Sequence, residues 1–486
     1  MRKKEFPLFL IIMAVVLAGC HDSMVEINTD PNNPTQVPTS NLLSNAQRQL
    51  TGEILGINED DGHARWSSEY MQYWSNTLYT STTRYETVEA DWNEFYDGGL
   101  SDLEEIIRIN IDPEEKLEAQ KYGSNNNQIA VAEILQVWGF HNVTDIWGEV
   151  PFSEALQGRK NFSPKYDPQE AIYDSLIAQL DRATARIDES ERPPQGDLIL
   201  DGDMNGWRLF ANSLKLRLGM RLSERSPEKA KRIVQEAVNS GVIGSSDENI
   251  YFEYLDSEPN YNPWKYEARV EGGSYNLAVT TTAIGKLQSY DDPRLYVYAA
   301  PAKKDGKLRG IPYGVESGVA SEFDNVEVSF QTDDVYNSPG RIMTYSEVLL
   351  LQAEAAERGW ISGNPKALYE KGIRANMKEW SVPDSTDIDA YLEQDIVKYD
   401  SDSFKKKIGN QLWFALYTQP LETWANWRRL GYPELEPAPD AFRGRDIPRR
   451  RGYPQAESEL NRENYEAAVE RQGPDELSTR VWWDAE

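Results

Sequence analysis

The feature that most constrains this chain is a series of paired segments whose apolar residues recur every three or four positions. One pair occupies residues 207–241, with Pro227 opening its second segment and Gly241 after its end, and another occupies 345–380. Residues 128–141 and 168–188 repeat the pattern around an irregular stretch. This spacing places the apolar residues on one face of a helix, and each helix must bury that face against a neighbour. The chain is therefore expected to be mostly α-helical.

The two clearer pairs each span about 35 residues, and helix–turn–helix units of that length resemble tetratricopeptide repeats. A general α-helical bundle without repeat order is the alternative. Between about 247 and 337 the helical period is lost, while Gly, Pro, Asp, Asn and Tyr are frequent. Its aromatic content argues against disorder. The prediction is a mostly α fold with a tetratricopeptide-like helical-pair scaffold and a loop-rich, partly β insert, including a small hairpin near 327–331.

The charge and the scarcity of Cys and His exclude several function classes. The chain has 51 Lys and Arg against 80 Asp and Glu, a net charge of −29, which argues against a nucleic-acid interface. One Cys and three His exclude a disulfide framework and a Cys-rich zinc site. The acidic stretches 30–33 and 197–203 do not fit the twelve-residue calcium loop and are interpreted as turns. We expect no cofactor and no metal.

The N-terminus has the pattern of an export signal. Basic residues at 2–4 precede an apolar run at 6–18, which is shorter than the ~20 residues that a membrane-spanning helix needs. The run ends in Leu-Ala-Gly-Cys, which resembles the bacterial lipoprotein box and implies acylation at Cys20; an ordinary signal peptide with a chance Cys is the alternative. We therefore expect a signal peptide at 1–19, a lipidated tether at 20–40 and a single domain at 41–486.

Four further segments resemble the SusD/RagB family, in its branch of shorter SusD-like lipoproteins. They are Asn142–Ala155 (NVTDIWGEVPFSEA), Ile447–Asn461 (IPRRRGYPQAESELN), Glu26–Pro38 and Arg341–Ala356. The resemblance covers the chain from residue 26 onward in the family's order. It implies an outer-membrane lipoprotein that faces the cell surface, forms the lid of a SusC-like TonB-dependent β-barrel transporter, and captures oligosaccharides or, alternatively, oligopeptides. The quoted motifs are scaffold and do not identify the ligand.

Two aromatic-rich clusters are the candidate ligand contacts, because sugar rings stack on aromatic faces while Asn and Arg hydrogen-bond the hydroxyls. The first lies within residues 66–85 and the second within 261–275. The candidates are Trp74, Asn76, Tyr79, Arg84, Tyr85, Tyr261, Asn262, Trp264, Tyr266, Arg269 and Tyr275. Trp264 leads this set because loop aromatics of the insert have less reason to lie in the core.

Other aromatic and basic residues are assigned to the scaffold. Tyr70, Tyr73 and Trp74 also fit the buried stripe of a helix. The Trp residues at helical or scaffold positions are expected in the core: Trp138, Trp147, Trp207, Trp360, Trp380, Trp424 and Trp427. The Arg run at 443–451 is interpreted as pairing with the acidic body, with docking of the transporter or of an anionic ligand as the alternative.

The sequence favours a binding protein over an enzyme. It has no Gly-x-Ser-x-Gly nucleophile elbow and no nucleotide-binding loop. Carboxylate pairs such as Asp291-Asp292 occur by chance among so many acidic residues, and no spacing singles out a glycosidase pair. A surface glycan hydrolase on the same scaffold is the alternative, and glycan is preferred over peptide because Trp and Tyr accompany Asn and Arg.

Overall fold

The computed structural model describes residues 37–56, 62–255, 257, 260–266, 276–323, 325–383 and 386–485. The predicted signal peptide, the tether up to residue 36 and Cys20 lie outside these residues, as do Arg269 and Tyr275.

Helices dominate the described residues, as predicted. In the first half they are α1 (Thr39–Leu55), α2 (His63–Tyr70), α3 (Ser101–Ile111), α4 (Lys116–Ala119), α5 (Asn125–Trp147), α6 (Gln169–Arg186), α7 (Met204–Arg221) and α8 (Pro227–Asn239). In the insert they are α9 (Pro263–Lys265), α10 (Thr281–Ser289), α11 (Leu295–Tyr298), α12 (Ser317–Ala320) and α13 (Asp333–Tyr336). The remainder are α14 (Tyr345–Glu357), α15 (Pro365–Glu379), α16 (Ile388–Glu393), α17 (Phe404–Ala415), α18 (Pro420–Leu430), α19 (Gln455–Leu460) and α20 (Arg462–Gln472). A π-helical segment at Glu94–Leu100 leads into α3.

The predicted helix pairs are present and are set by local sequence signals. Pro227 opens α8, and Asn364 caps α15 by accepting the Ala367 backbone N–H at 3.1 Å, with Pro365 at the first helical position. Helix α5 packs against α6, α7 against α8, and α14 against α15, and α6 also packs on α7. Apolar faces of these helices form one continuous core.

Trp residues and paired charges share this core. All seven Trp residues assigned to the scaffold are buried, which confirms that expectation. Buried Arg217 pairs with Glu347 at 2.7 Å, and buried Arg221 pairs with Glu422 at 2.7 Å, so α7 is tied to α14 and α18. Charges removed from water in this way stabilise a fold only when both partners stay together.

Short strands occur as pairs rather than as one sheet. They are β1 (Trp74–Asn76) with β5 (Leu277–Val279), β2 (Val150–Pro151) with β3 (Tyr166–Asp167), and β4 (Ile250–Phe252) with β6 (Gly340–Met343), all antiparallel. The hairpin predicted near 327–331 is not formed by that segment itself. Gln331 instead bridges to Ala299, and the Ala300 N–H donates to the Phe330 carbonyl at 2.7 Å.

Pairing of β1 with β5 joins the start of the chain to the insert. Asn76 lies opposite Leu277, and the Thr77 N–H donates to the Asn276 carbonyl at 2.7 Å. Ala278, Ile311, Ala320 and Val328 make a small second core under the insert. The described part of the insert is therefore packed against the region that carries the first aromatic cluster.

Candidate functional site

A cleft of about 740 Å³ opens beside α2. Residues from α1, α2, the loop after β1, the segment 87–94 and the C-terminal Arg run line it. Its polar and aromatic lining consists of Glu53, His63, Arg65, Trp66, Glu69, Tyr79, Ser81, Thr82, Thr87, Glu89, Asp91, Asn93, Glu94 and Arg451. A concave site that joins aromatic faces to convergent polar groups has the general character of a ligand site.

Tyr79 reaches this cleft from a turn that Asn76 organises. The Asn76 side-chain oxygen accepts the backbone N–H groups of Leu78 at 2.8 Å and Tyr79 at 2.9 Å. Thr80 lies 3.1 Å from the Ser317 hydroxyl of the insert, which fixes the far side of the turn. Tyr79 remains 66% exposed. A large aromatic side chain on a held turn can stack on a ligand at low entropic cost.

The floor of the cleft is a packed aromatic and basic cluster. The Trp66 indole N–H donates to His63 Nδ1 at 3.0 Å, and burial lowers the pKa of His63 to about 3, so its ring is neutral. The Arg451 guanidinium lies 5.2 Å from the Trp66 ring centre and donates to the Tyr70 hydroxyl and to the Thr87 carbonyl. These contacts hold the half-buried Trp66 in one orientation.

Glu69 is the buried acid of the cleft. Glu69 is only 1% exposed, and neither carboxylate oxygen has a hydrogen bond of normal geometry among the described residues, the Thr82 hydroxyl being a weak donor. Burial raises the pKa of Glu69 to about 7, and the Arg65 guanidinium, the nearby Thr82 hydroxyl and Arg451 oppose this rise only in part. Glu69 is thus a buried acid in the wall of the cleft whose carboxylate lacks strong hydrogen-bond donors among the described residues.

In the first predicted cluster, Tyr79 is exposed, as expected of a ligand contact, and Arg84 is exposed in part. Trp74 is fully buried and donates to the Tyr417 hydroxyl at 2.8 Å, so the expectation that it faces a surface is wrong and the helix-stripe alternative was right about its burial. Tyr85 is also fully buried and accepts the Ala438 N–H at 3.1 Å. Arg84 is half-buried and pairs with Glu86 at 2.7 Å.

In the second cluster the structure corrects the leading residue. Trp264 is 4% exposed, and its indole N–H donates to the Leu55 carbonyl at 2.9 Å. Asn262 is buried as the cap of α9, accepting the Trp264 N–H at 2.8 Å and donating to the Ser338 carbonyl. Tyr261 and Tyr266 are half-buried, with ring centres 5.9 Å apart. Exposure is therefore lacking for Trp264 and Asn262.

The two clusters do meet, but in the core. The Trp74 and Trp264 rings cross edge to face with centres 4.5 Å apart. Pairing of β1 with β5 brings these distant segments together, and burying both indoles removes a large apolar area from water. The contact between the two clusters is thus a core contact and not part of a binding surface.

Sequence reasoning missed most of the cleft. Glu53, Glu69, Asp91 and Arg451 come from distant parts of the chain, and no local pattern links them. Trp66 lies within residues 66–85, the stretch of the first cluster, but it is not among the predicted ligand contacts. The Asn-containing turn before Tyr79 was the one local signal of an exposed aromatic.

The Arg run is mostly structural. Arg450 pairs with Asp475 at 2.9 Å and Arg449 with Asp484 at 3.4 Å, which confirms pairing with the acidic body for these two. Arg445 instead donates to the Tyr85 carbonyl at 2.6 Å, and Arg443 is exposed. Pairing with carboxylates is therefore wrong for Arg445.

Two other sequence expectations concern metals and membranes. The Asp197 carboxylate accepts the Trp207 indole N–H at 2.7 Å and several turn N–H groups, which confirms the turn interpretation of 197–203. Within the described residues, no three His, Cys, Asp or Glu side chains are grouped to hold a metal ion. No helix in that same part of the chain has the length and apolar character to cross a membrane.

Comparison with known families decides the relationship. The family called SusD-like, described as "Starch-binding associating with outer membrane", matches residues 31–454. The chain belongs to this SusD-like family. No curated protein matches it significantly.

Solved structures agree with the SusD-like fold. A protein described as chitin-binding has 28% sequence identity and a TM-score of 0.77, covering 92% of this chain and 100% of its own. A chitin-binding SusD homolog from Flavobacterium johnsoniae has 24% identity and a TM-score of 0.79, covering 91% of this chain and 99% of its own. A SusD homolog from Bacteroides uniformis has 23% identity and a TM-score of 0.76, covering 93% and 100%. The last two show the fold alone.

Proposed function

We propose that this protein captures oligosaccharides at the outer surface of the outer membrane and delivers them to a SusC-like, TonB-dependent β-barrel transporter. It is held there by acylation of Cys20 and acts as the lid of the barrel. Family membership supports this role, and the 28% identical relative described as chitin-binding supports a polysaccharide ligand.

The observation that carries the proposal is the cleft beside α2. Its volume of about 740 Å³ lies within the roughly 300–1,000 Å³ of small-molecule sites. Tyr79 at its mouth and Trp66 on its floor offer aromatic faces, and Thr82 and Asn93 offer polar groups for hydroxyls. The further proposed ligand contacts are Arg84, Tyr261, Tyr266, Arg269 and Tyr275.

Titration calorimetry of the purified protein with starch-derived and chitin-derived oligosaccharides tests this proposal. We expect saturable binding of one glycan class, and Tyr79→Ala should weaken it about 3- to 10-fold because one stacking face is lost. Tyr296→Ala is the matched control, since Tyr296 is 70% exposed but does not line the cleft. Unchanged affinity in Tyr79→Ala would remove the cleft from the proposal.

The same experiment separates the alternatives. Binding of a mixed peptide digest, with no response to any glycan, would assign the protein to oligopeptide capture. Chromatography of the bound glycan after long incubation should show an unchanged length distribution, because a binding protein releases its ligand intact. Shortened products that disappear on carboxylate substitution would instead show a surface hydrolase.

A further inference from the structure

The cleft beside α2 carries more carboxylates than the binding of neutral sugar hydroxyls requires. Five carboxylates and two guanidiniums are among its described lining residues, and His63 is neutral. The carboxylates come from three separate parts of the chain: Glu53 of α1, Glu69 of α2, and Glu89, Asp91 and Glu94 of the segment that precedes α3. Like charges gathered in a concave site repel one another and attract a cation from solution.

The two guanidiniums offset this charge only in part, because five carboxylates line the same cleft. Arg451 is buried and directs its N–H groups to the Tyr70 hydroxyl and to the backbone carbonyls of Thr87 and Glu89, behind the Trp66 ring. Arg65 lies one helical turn before Glu69 on α2 and lowers its pKa without forming a hydrogen bond to it. Negative charge is therefore left in excess around the cavity.

The buried Glu69 also indicates a ligand that carries hydrogen-bond donors, separately from the acidic lining of the cleft. A buried carboxylate normally accepts several hydrogen bonds, and leaving its oxygens unpaired destabilises the folded state. Both Glu69 oxygens lack hydrogen bonds of normal geometry among the described residues, with the Thr82 hydroxyl only a weak donor, although the side chain lines the cavity. The missing donors are the donors that a ligand would bring.

We propose that the cleft selects glycans that carry free amino groups, with a sugar ammonium bound at Glu69 and its ring beside Trp66. This inference rests on the proposed glycan capture and specifies its substrate class as partly or fully deacetylated amino sugars. An ammonium offers three N–H donors and a positive charge, whereas a hydroxyl offers one donor and no charge. An N-acetyl group offers one N–H donor and adds bulk where the carboxylate is.

Chito-oligosaccharides of equal length, either fully acetylated or fully deacetylated, test this selectivity by calorimetry at neutral pH. We expect the deacetylated form to bind about tenfold more tightly or better, since a charge pair formed at a buried carboxylate is a strong contact. High salt should weaken this form more than the acetylated one. Glu69→Gln should remove most of the difference in affinity between the two forms.

Two further variants and a stability measurement distinguish a loss of ammonium binding from a loss of folding. Asp91→Asn removes a charge at the exposed rim and should reduce the preference by a smaller factor, whereas Glu466→Gln on exposed α20 should leave it intact. Unfolding midpoints of these variants and of Glu69→Gln that are no lower than the wild-type midpoint show that the native state is intact.

Each outcome is decisive. Equal or tighter binding of the acetylated form, or a preference that survives Glu69→Gln, overturns the selectivity but leaves glycan capture standing. Binding of oligolysine without binding of either sugar transfers the cleft to cationic peptides and overturns the inference. Failure of every glycan, neutral or charged, overturns both the inference and the proposed function.

Discussion

Trp264 shows how burial changes the meaning of a single residue. Its indole packs edge to face on Trp74 and donates to the Leu55 carbonyl, so Trp264→Ala leaves a cavity and an unpaired carbonyl. We expect this substitution to lower the free energy of unfolding by about 3–5 kcal/mol in urea denaturation. Tyr79→Ala is the control and should not change it, because Tyr79 is largely exposed. Equal stability of the two variants would contradict the core assignment.

His141 should make the protein less stable in acid. Burial lowers the pKa of His141 to about 3, whereas the unfolded chain titrates near 6.5, so the unfolded state binds an extra proton between these values. Stability contributed by the neutral ring is complete above pH 6.5 and is lost as the pH falls toward 3. Compared with wild type, His141→Asn should reduce the slope of unfolding free energy against pH by about 1.4 kcal/mol per unit between pH 6 and 4.

Glu69 provides the opposite control for that measurement. Its folded pKa of about 7 lies above the unfolded value of 4.5, so the native state binds the extra proton and its stability contribution is lost as the pH rises through 7. Glu69→Gln should therefore increase the slope of unfolding free energy against pH, whereas His141→Asn should reduce it. Slopes that shift in the same direction in both variants would contradict these assignments.

At the scale of elements, helices are joined by buried ion pairs. Glu354 of α14 accepts two hydrogen bonds from Arg429 of α18, at 2.6 and 2.7 Å, and both side chains are fully buried. Glu354→Ala leaves this guanidinium without its counter-charge, and we expect a loss of about 3–5 kcal/mol in unfolding free energy. The exposed pair of Glu393 with Lys398 is the control, and Glu393→Ala should leave the unfolding midpoint unchanged.

At the scale of the whole molecule, the C-terminal residues lock the scaffold. Trp483 is fully buried, donates to Asp145 of α5 at 2.7 Å, and lies under the Arg428 guanidinium at 4.6 Å. Asp145 in turn pairs with Arg221 of α7 at 3.2 Å, so Trp483 and Asp145 together connect α5, α7 and α18. Trp483→Ala should cost about 3–5 kcal/mol in unfolding free energy. Its half-buried neighbour gives the control, since Trp482→Ala should cost much less.

The sequence alone determined the helix pairs, because their signals are local. Apolar spacing of three or four residues, Pro227 and Pro365 at helix starts, and helix-capping Asn364 act within one or two turns. The same local information assigned the scaffold Trp residues to the core and placed the irregular insert. Family motifs in the chain added the relationship that the comparison then established.

Only the tertiary structure decided which polar and aromatic residues face solvent. Trp264 and Tyr79 both lie in loop-rich stretches, yet strand pairing buries the first against Trp74 while the turn at Asn76 exposes the second. The cleft collects Glu53, Glu69 and Arg451, which are separated by up to about 400 positions. A side chain's exposure depends on contacts between such distant segments, and the local sequence pattern does not specify these contacts.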